Sequence, residues 1–268
     1  MTYAGPIQVG LRSTNCNHMG LPLRIALNSI ASEAFRDQAD RDYVLARAAW
    51  RLRLRDQFLW SAQQAIEKYL KGILLFDGRS ARYIPGSGTG KKRKEYRHSL
   101  TALSASVDAL PGYQIAHPPW WQEYIERLEY FGQNRYVTRN ARTRFNALDS
   151  LDEAVWSVRR YCQHMRFDHK HIAADSMLTA YMNTANDPSY KKNPHRLTLI
   201  GGQLEKWIAD RSDPARASLI WNNRFFGRRP KGNPEYVMWS SFVNAPVHRD
   251  WAQEPTLRTQ LAEYFRFD

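Results

Sequence analysis

The chain has 268 residues, of which 43% are hydrophobic, so its length allows one large domain or two modest domains with a buried core. Its 39 lysines and arginines outnumber its 26 acidic residues, and the net charge of +13 favours partners such as nucleic acid, anionic membranes or acidic proteins. The 2 cysteines lie in unrelated contexts, which excludes a disulfide framework and a cysteine zinc site. The sequence shows no run of about 18 apolar residues, which excludes a membrane span, and no secretory signal, so we expect a cytoplasmic protein.

Long helices are predicted in the first part of the chain. Residues 1–22 hold three glycines and two prolines and predict an extended arm. Residues 23–77 contain no proline and a single glycine, so helices are expected there. In "DQFLWSAQQAIEKYLKGILLF" apolar residues recur at intervals of three and four, which predicts a helix with one buried and one wet face. The preceding "ADRDYVLARAAWRLRL" predicts a partner helix. The polar residues assigned to the wet face are Gln63, Gln64, Glu67, Lys68 and Lys71.

Three more helical patterns follow. They are "HSLTALSASVDAL", then "PPWWQEYIERLEYFGQN", and then a stretch that opens with the capping-box spacing of Ser150 and Glu153. We therefore predict a mainly α protein in which residues 23–180 form an antiparallel bundle of four to five helices.

The pattern changes after residue 180, where proline and glycine recur and the elements become short. We predict a brief helix near residues 199–208, a second helix starting at Asp213, an extended segment at "YVMWSSFV" and a final helix at "PTLRTQLAEYF". Residues 181–268 are thus expected to form a smaller, mixed but mostly helical C-terminal extension, to which the sequence assigns no role.

The stretch "YIPGSGTGKKRKEYRH", residues 83–98, combines glycines with basic residues. A Walker-type phosphate loop is excluded, because Pro85 replaces its first glycine, Lys92 replaces its hydroxyl residue and a helix precedes it. Arg93 and His98 have the spacing of a ribonuclease pair, although four arginine and histidine pairs in the chain have similar spacing. A solvated basic linker is the alternative interpretation.

Three motifs in fixed order carry a resemblance to a known family. They are "QQAIEKYLK" on the second long helix, "HSL" at the start of the next helix, and "RY" after a tyrosine-rich helix. Over residues 37–166 the chain resembles the HEPN family of helical domains associated with nucleotides and RNA. The matching residues are Gln63, Gln64, Ala65, Glu67, Lys68, Leu70, Lys71, His98, Leu100, Arg135 and Tyr136.

The resemblance implies a compact bundle, commonly a homodimer, that handles RNA or nucleotides. In the ribonuclease branches an arginine, a polar residue and a following histidine form a metal-independent site in the dimer cleft. In this chain Arg139 and Asn140 begin such a motif, but Arg144 and its neighbours stand where the histidine belongs. His98 is the only histidine at a matched position, so catalysis is assigned to His98 with Arg93.

The chemistry of His98 suits RNA cleavage. A histidine can take the proton from a ribose 2′-hydroxyl near neutral pH, while Arg93 or Arg97 stabilises the charged phosphorane. The alternative is that His98 caps its helix and packs between neighbours.

Basic residues cluster at three places in the sequence. Arginine binds phosphate bidentately and stacks on bases, and aromatic residues lie near the second cluster, so binding of an anionic polymer is predicted. A solvated surface is the alternative. The residues assigned to nucleic-acid binding are Lys91, Lys92, Lys94, Arg97, Arg135, Arg139, Asn140, Arg142 and Arg144. The third cluster, without an assigned role, is Arg228, Arg229 and Lys231.

His164, Asp168 and His171 recur at intervals of four and three, so they share one helical face and offer ligands for a divalent transition metal. No fourth ligand is identifiable, and a polar helix face is the alternative, so no metal and no other cofactor is assigned.

These patterns favour an RNA- or nucleotide-binding HEPN-like protein. If it is an enzyme, it is a metal-independent endoribonuclease of a defence or toxin–antitoxin system. The alternative is a non-catalytic interaction module that partners a nucleotidyltransferase or another effector, and a third hypothesis is a metal-dependent hydrolase. The expected partners are RNA or a nucleotide and a second copy of the chain, and no membrane is expected.

Overall fold

The computed structural model describes residues 21–132, 141–143, 147–164, 174–192, 194, 201–227, 241–243 and 254–261. Helices account for most of these residues, which confirms the mainly α class. None of the helices in these ranges is both long and apolar enough to cross a lipid bilayer.

The first helical elements form one continuous run of helical backbone. They are α1 (Leu21–Ile30), a π-helical segment (Ala31–Arg36) and α2 (Asp37–Arg51). The first of them starts two residues earlier than predicted, and proline at its second position is compatible with a first helical turn. π-Helical turns are rare and frequently lie at functional sites.

α3 (Arg55–Phe76) is the central helix, in contact with α2 and with each later helix of the bundle core. A turn at residues 52–54 joins α2 to α3, so the two helices pack antiparallel. The predicted apolar stripe of α3 is confirmed. Its buried members are Phe58, Ala62, Ala65, Ile66, Tyr69, Leu70, Ile73 and Leu74.

Two of the polar residues of α3 that were predicted to face solvent do not do so. Gln63 and Glu67 are buried. A Cβ atom built on Gly132 would lie 2.5 Å from Cβ of Gln63, so the end of the helix Trp121–Gly132 covers this position. Glu67 is covered by the loop that carries His98, through a 3.1 Å contact.

Three further helices pack against α3 in the core: α4 (Leu100–Asp108), α5 (Trp121–Gly132) and α6 (Ala147–Arg159). α4 is capped by Ser99, whose Oγ accepts the backbone N–H of Ala102 at 3.3 Å, so His98 is not the cap.

The start of α6 differs from the prediction. The helix begins three residues before Ser150, so Ser150 and Glu153 lie inside it and do not form a capping box. Alanine and leucine, the first two residues of α6, are strong helix formers and extend the helix toward the N-terminus.

The C-terminal part contains the predicted short helices near residues 199–208, after Asp213 and at the end of the chain, whereas a two-stranded ribbon was not predicted. Strand β1 (Ala141–Thr143) pairs antiparallel with β2 (Ser241–Val243), which lies in the segment predicted to be extended. The helices are α7 (Ala174–Ala185), α8 (Pro188–Lys192), α9 (Gln203–Ala209), α10 (Pro214–Ile220) and α11 (Pro255–Leu261).

A buried ion network attaches α9 to the bundle. Arg159 of α6 donates to both carboxylate oxygens of Asp40, at 2.7 and 2.9 Å, and to Glu205 of α9 at 2.7 Å. The hydroxyl of Tyr69 donates to Asp40 at 2.6 Å, and burial beside that carboxylate raises the pKa of the tyrosine. The backbone N–H of Leu204 also donates to Asp40, at 3.1 Å.

A second buried network attaches α10 in the same way. Arg47 of α2 pairs with Asp152 of α6 and donates to the backbone carbonyls of Ser218, at 2.9 Å, and Trp221. The hydroxyl of Tyr43 donates to Asp152 at 2.6 Å. Residues 201–227 therefore pack on α2 and α6 through charged groups shielded from water.

Candidate functional site

The glycine-rich basic stretch forms an ordered hairpin between α3 and α4. Tyr83 and Glu95 form an antiparallel β-bridge, and the backbone N–H of Ile84 donates to the carbonyl of Lys94 at 2.9 Å. Tyr96, which is buried, anchors the returning arm in the core. The glycines that turn the chain at positive φ are Gly86, Gly88 and Gly90.

The hairpin ends at a histidine paired with a buried carboxylate. Nδ1 of His98 lies 3.1 Å from Oε2 of Glu67, and Oε1 of Glu67 accepts from Nζ of Lys71 at 2.6 Å. The side chain of Glu67 is 6% exposed, whereas that of His98 is 58% exposed. The imidazole is thus held from the protein side and open on the solvent side.

Local structure explains how His98 reaches this position. Glu67 and Lys71 are one turn apart on α3, so their side chains share a face. Because Ser99 caps α4, His98 lies outside the helix and stays free to turn toward Glu67. The preceding Arg97 has a φ of 48°, in the left-handed region that is strained for a residue with a side chain, and its carbonyl accepts from Lys71 at 3.0 Å.

This arrangement prepares His98 to act as a base. When Nδ1 donates its proton to Glu67, the lone pair of the imidazole resides on Nε2. Among the residues that the structure describes, no side chain bonds to Nε2. A buried carboxylate that orients a histidine also stabilises the imidazolium that forms after proton transfer.

The structure places Arg93 on an aromatic ring. Its guanidinium lies 5.6 Å from the ring centre of Tyr83, and the guanidinium of Arg82 lies 4.8 Å from the same ring. Within the described ranges no hydrogen bond joins Arg93 to His98. The cation that shares a carboxylate with His98 is Lys71, which the sequence analysis does not assign to the site.

Several predicted nucleic-acid ligands are exposed on the hairpin. Lys92, Lys94 and Arg97 point into solvent. The side chain of Lys91 and that of Arg142, a residue of β1, lie outside the described part of the structure. The remaining members of the second and third clusters also lie outside the described residues: Arg135, Arg139, Asn140, Arg144, Arg228, Arg229 and Lys231.

The predicted metal ligands are only partly described. The ring of His164 lies 5.0 Å from that of Phe76, and burial together with nearby Arg36 lowers the pKa of His164. Asp168 and His171 lie outside the described residues. Where side chains are described, no three potential ligands come together in a group able to hold a metal ion.

Sequence reasoning missed that Glu67 and Lys71 lie together beside His98. Both are matched as motif residues, but their spacing predicts only a solvated helix face. Glu67 and His98 are 31 residues apart in the chain, so no local periodicity reports their contact. The available signal was a glutamate and a lysine one helical turn apart on α3.

Comparisons of the chain with protein-family models, with curated proteins and with solved structures give no match. Function is therefore inferred from the chemistry of the His98 site.

Proposed function

We propose that this protein is an RNA-binding, HEPN-like homodimer that cleaves RNA without a metal ion, as a nuclease of a defence or toxin–antitoxin system. The observation that supports this proposal is the His98 and Glu67 pair, in which a buried carboxylate holds an exposed imidazole by Nδ1. This arrangement leaves Nε2 accessible to take a proton from a substrate.

The proposed reaction is transesterification within RNA. Nε2 of His98 takes the proton of a ribose 2′-hydroxyl, and the 2′-oxygen forms a bond to the adjacent phosphorus. The bond from phosphorus to the 5′-oxygen then breaks, and the leaving oxygen takes a proton from water. The products are a 2′,3′-cyclic phosphate and a free 5′-hydroxyl.

The basic hairpin supplies the positive charge that this reaction needs. Lys92, Lys94 and Arg97 are exposed within a few residues of His98 and attract the phosphate backbone. Arg93, stacked near Tyr83, presents its guanidinium from the same hairpin. Charge developing on the phosphorane is stabilised by such fixed cations.

The first test is incubation of the purified protein with single-stranded RNA in excess EDTA. We expect cleavage to persist in EDTA and the products to carry 2′,3′-cyclic phosphate ends, because His98 and not a metal ion removes the proton. Cleavage restored only by added metal would contradict the proposal. RNA binding without any cleavage would instead support the non-catalytic interaction module.

A second test measures RNA binding against salt. Each phosphate neutralised on single-stranded RNA contributes about 0.7 to the slope of log affinity against log salt. Replacing both Lys92 and Lys94 with glutamine is expected to lower that slope by about 1.4. Arg211→Gln, an exposed substitution outside the hairpin, is the matched control and is expected to leave the slope unchanged. A slope near zero for the unmodified protein would remove RNA as the ligand.

A further inference from the structure

A concave surface lies beside the His98 site. It is a cleft of about 650 Å³ between α1, the π-helical segment, the end of α3 and the hairpin, a volume typical of small-molecule sites. Its floor is formed by Leu23, Leu27, Ile30, Phe35 and Leu75. Leu23 and Ile30 are 54% and 48% exposed, so this floor presents apolar surface to water.

The rim of the cleft is basic. Lys71, Arg79, Arg82 and Arg97 line it together with one carboxylate, Glu95. Lys71, Arg79 and Arg82 are each paired with a carboxylate at 2.6 to 3.3 Å. The guanidinium of Arg97 has no such partner in the described part of the chain, and this residue is exposed.

The position of Arg97 is fixed by the residues around it. Arg97 has a strained φ of 48°. It lies between Tyr96, which is buried, and His98, which is bonded to Glu67. Its carbonyl is bonded to Lys71. Strain of this kind persists only where the surrounding structure enforces it, and it is found at ligand clamps. Arg97 therefore presents an unpaired cation from a fixed backbone at the edge of an apolar floor.

The lining indicates the chemical class of the ligand. Recognition of a nucleobase needs stacking rings and hydrogen-bonding groups that read the base edge. Among the described lining residues Phe35 is the one aromatic ring. The oxygen of Ser80 already accepts the backbone N–H groups of Arg82 and Tyr83, both at 3.1 Å, which leaves this side chain a single donor. An aliphatic floor with a cation at its edge fits an aliphatic chain that ends in an anion.

We propose that the cleft binds a small amphipathic anion, with its aliphatic chain on the floor and its single anionic head group on Arg97. The cleft shares Arg97 with the proposed RNA surface but does not include His98, so its occupancy can be measured without RNA and without cleavage. Carboxylate and phosphate head groups share the chemistry that Arg97 recognises.

The test is calorimetric titration of the full-length chain with dodecanoate and with dodecyl phosphate, each below its micelle concentration. We expect saturable one-to-one binding of at least one of them, and the comparison identifies the preferred head group. Dodecyltrimethylammonium, which carries the opposite charge on the same chain, is expected not to bind. Equal binding of the cationic amphiphile, or binding only to vesicles that contain anionic lipid, would overturn the proposal.

Two sets of variants locate the ligand. Arg97→Asn removes the cation but keeps a residue that tolerates the left-handed backbone, and we expect the Kd to rise at least about tenfold. Leu23→Gln combined with Leu27→Gln is expected to raise the Kd by about tenfold or more through loss of apolar contact. Leu45→Gln, on α2 and 57% exposed but outside the cleft, is the control and should leave the Kd unchanged. An unchanged Kd in Arg97→Asn would overturn the proposal.

Discussion

Replacing Arg159 with methionine is expected to lower the free energy of unfolding by about 3–5 kcal/mol. Methionine fills much of the space of the arginine, but it leaves the carboxylate of Asp40 buried without a cation. The side chain of Asp40 is 0% exposed, so water does not replace the lost partner. The same substitution frees Glu205 and loosens the attachment of α9. Urea unfolding followed by circular dichroism measures the loss.

Arg41→Met is the matched control for this experiment. Arg41 lies one residue after Asp40 on α2 and is exposed, with a hydrogen bond to Gln38 at 3.0 Å. Exposed substitutions of this kind usually change stability by less than about 0.5 kcal/mol. A loss of less than about 1 kcal/mol in Arg159→Met would mean that the buried pair does not hold the C-terminal segment.

The double variant Asp40→Leu with Arg159→Met separates two explanations. Removing one partner of a buried ion pair is costly because the other charge remains, whereas replacing both by apolar groups is often neutral. We therefore expect the double variant to be more stable than Arg159→Met alone. If it is equally unstable, the hydrogen bonds from Tyr69 and Leu204 to Asp40 carry the stabilisation instead.

The helices of the bundle were predicted from the sequence because an amphipathic helix shows a local periodicity of apolar residues. The apolar stripe of α3 repeats every three to four residues, and each member of it is buried in the structure. The breaks at proline and glycine likewise located α9, α10 and α11, whereas α7 and α8 were not predicted individually. A local signal was misleading at Ser150, since the spacing of a capping box also occurs by chance inside a helix.

Contacts between residues far apart in the chain have no such local signal, whether they attach α9 or build the His98 site. Asp40 and Arg159 are 119 residues apart, and Glu67 and His98 are 31 apart. Periodicity distinguishes a buried helix face from a solvent-exposed one. It does not show which polar residue contacts a side chain from another part of the chain. Glu67 therefore reads as a solvated residue from sequence alone, although it is the side chain that orients His98.

His98→Ala is expected to reduce RNA cleavage by about 10²–10⁴-fold, which is the usual contribution of a general base. The substitution removes a side chain that is 58% exposed, so folding is expected to remain intact. Added imidazole is expected to restore part of the activity, because it enters the space of the missing ring and takes the proton. His117→Gln is the control, since His117 also pairs with a carboxylate, that of Asp108, at 2.8 Å. Activity of His98→Ala equal to the unmodified protein would exclude His98 as the base.

Glu67→Gln tests whether cleavage depends on the carboxylate that fixes the tautomer of His98. The glutamine amide has the size of the carboxylate, but its N–H donates to Nδ1 and so moves the imidazole proton to Nε2, where the lone pair is needed. We expect cleavage to fall by a factor close to that of His98→Ala, because a tautomer with a protonated Nε2 does not accept the 2′-hydroxyl proton. Added imidazole is expected not to rescue this variant, since the ring of His98, although in the wrong tautomer, still fills the site. A structural role for Glu67 predicts the opposite pattern, with lower stability and an unchanged cleavage rate per folded molecule.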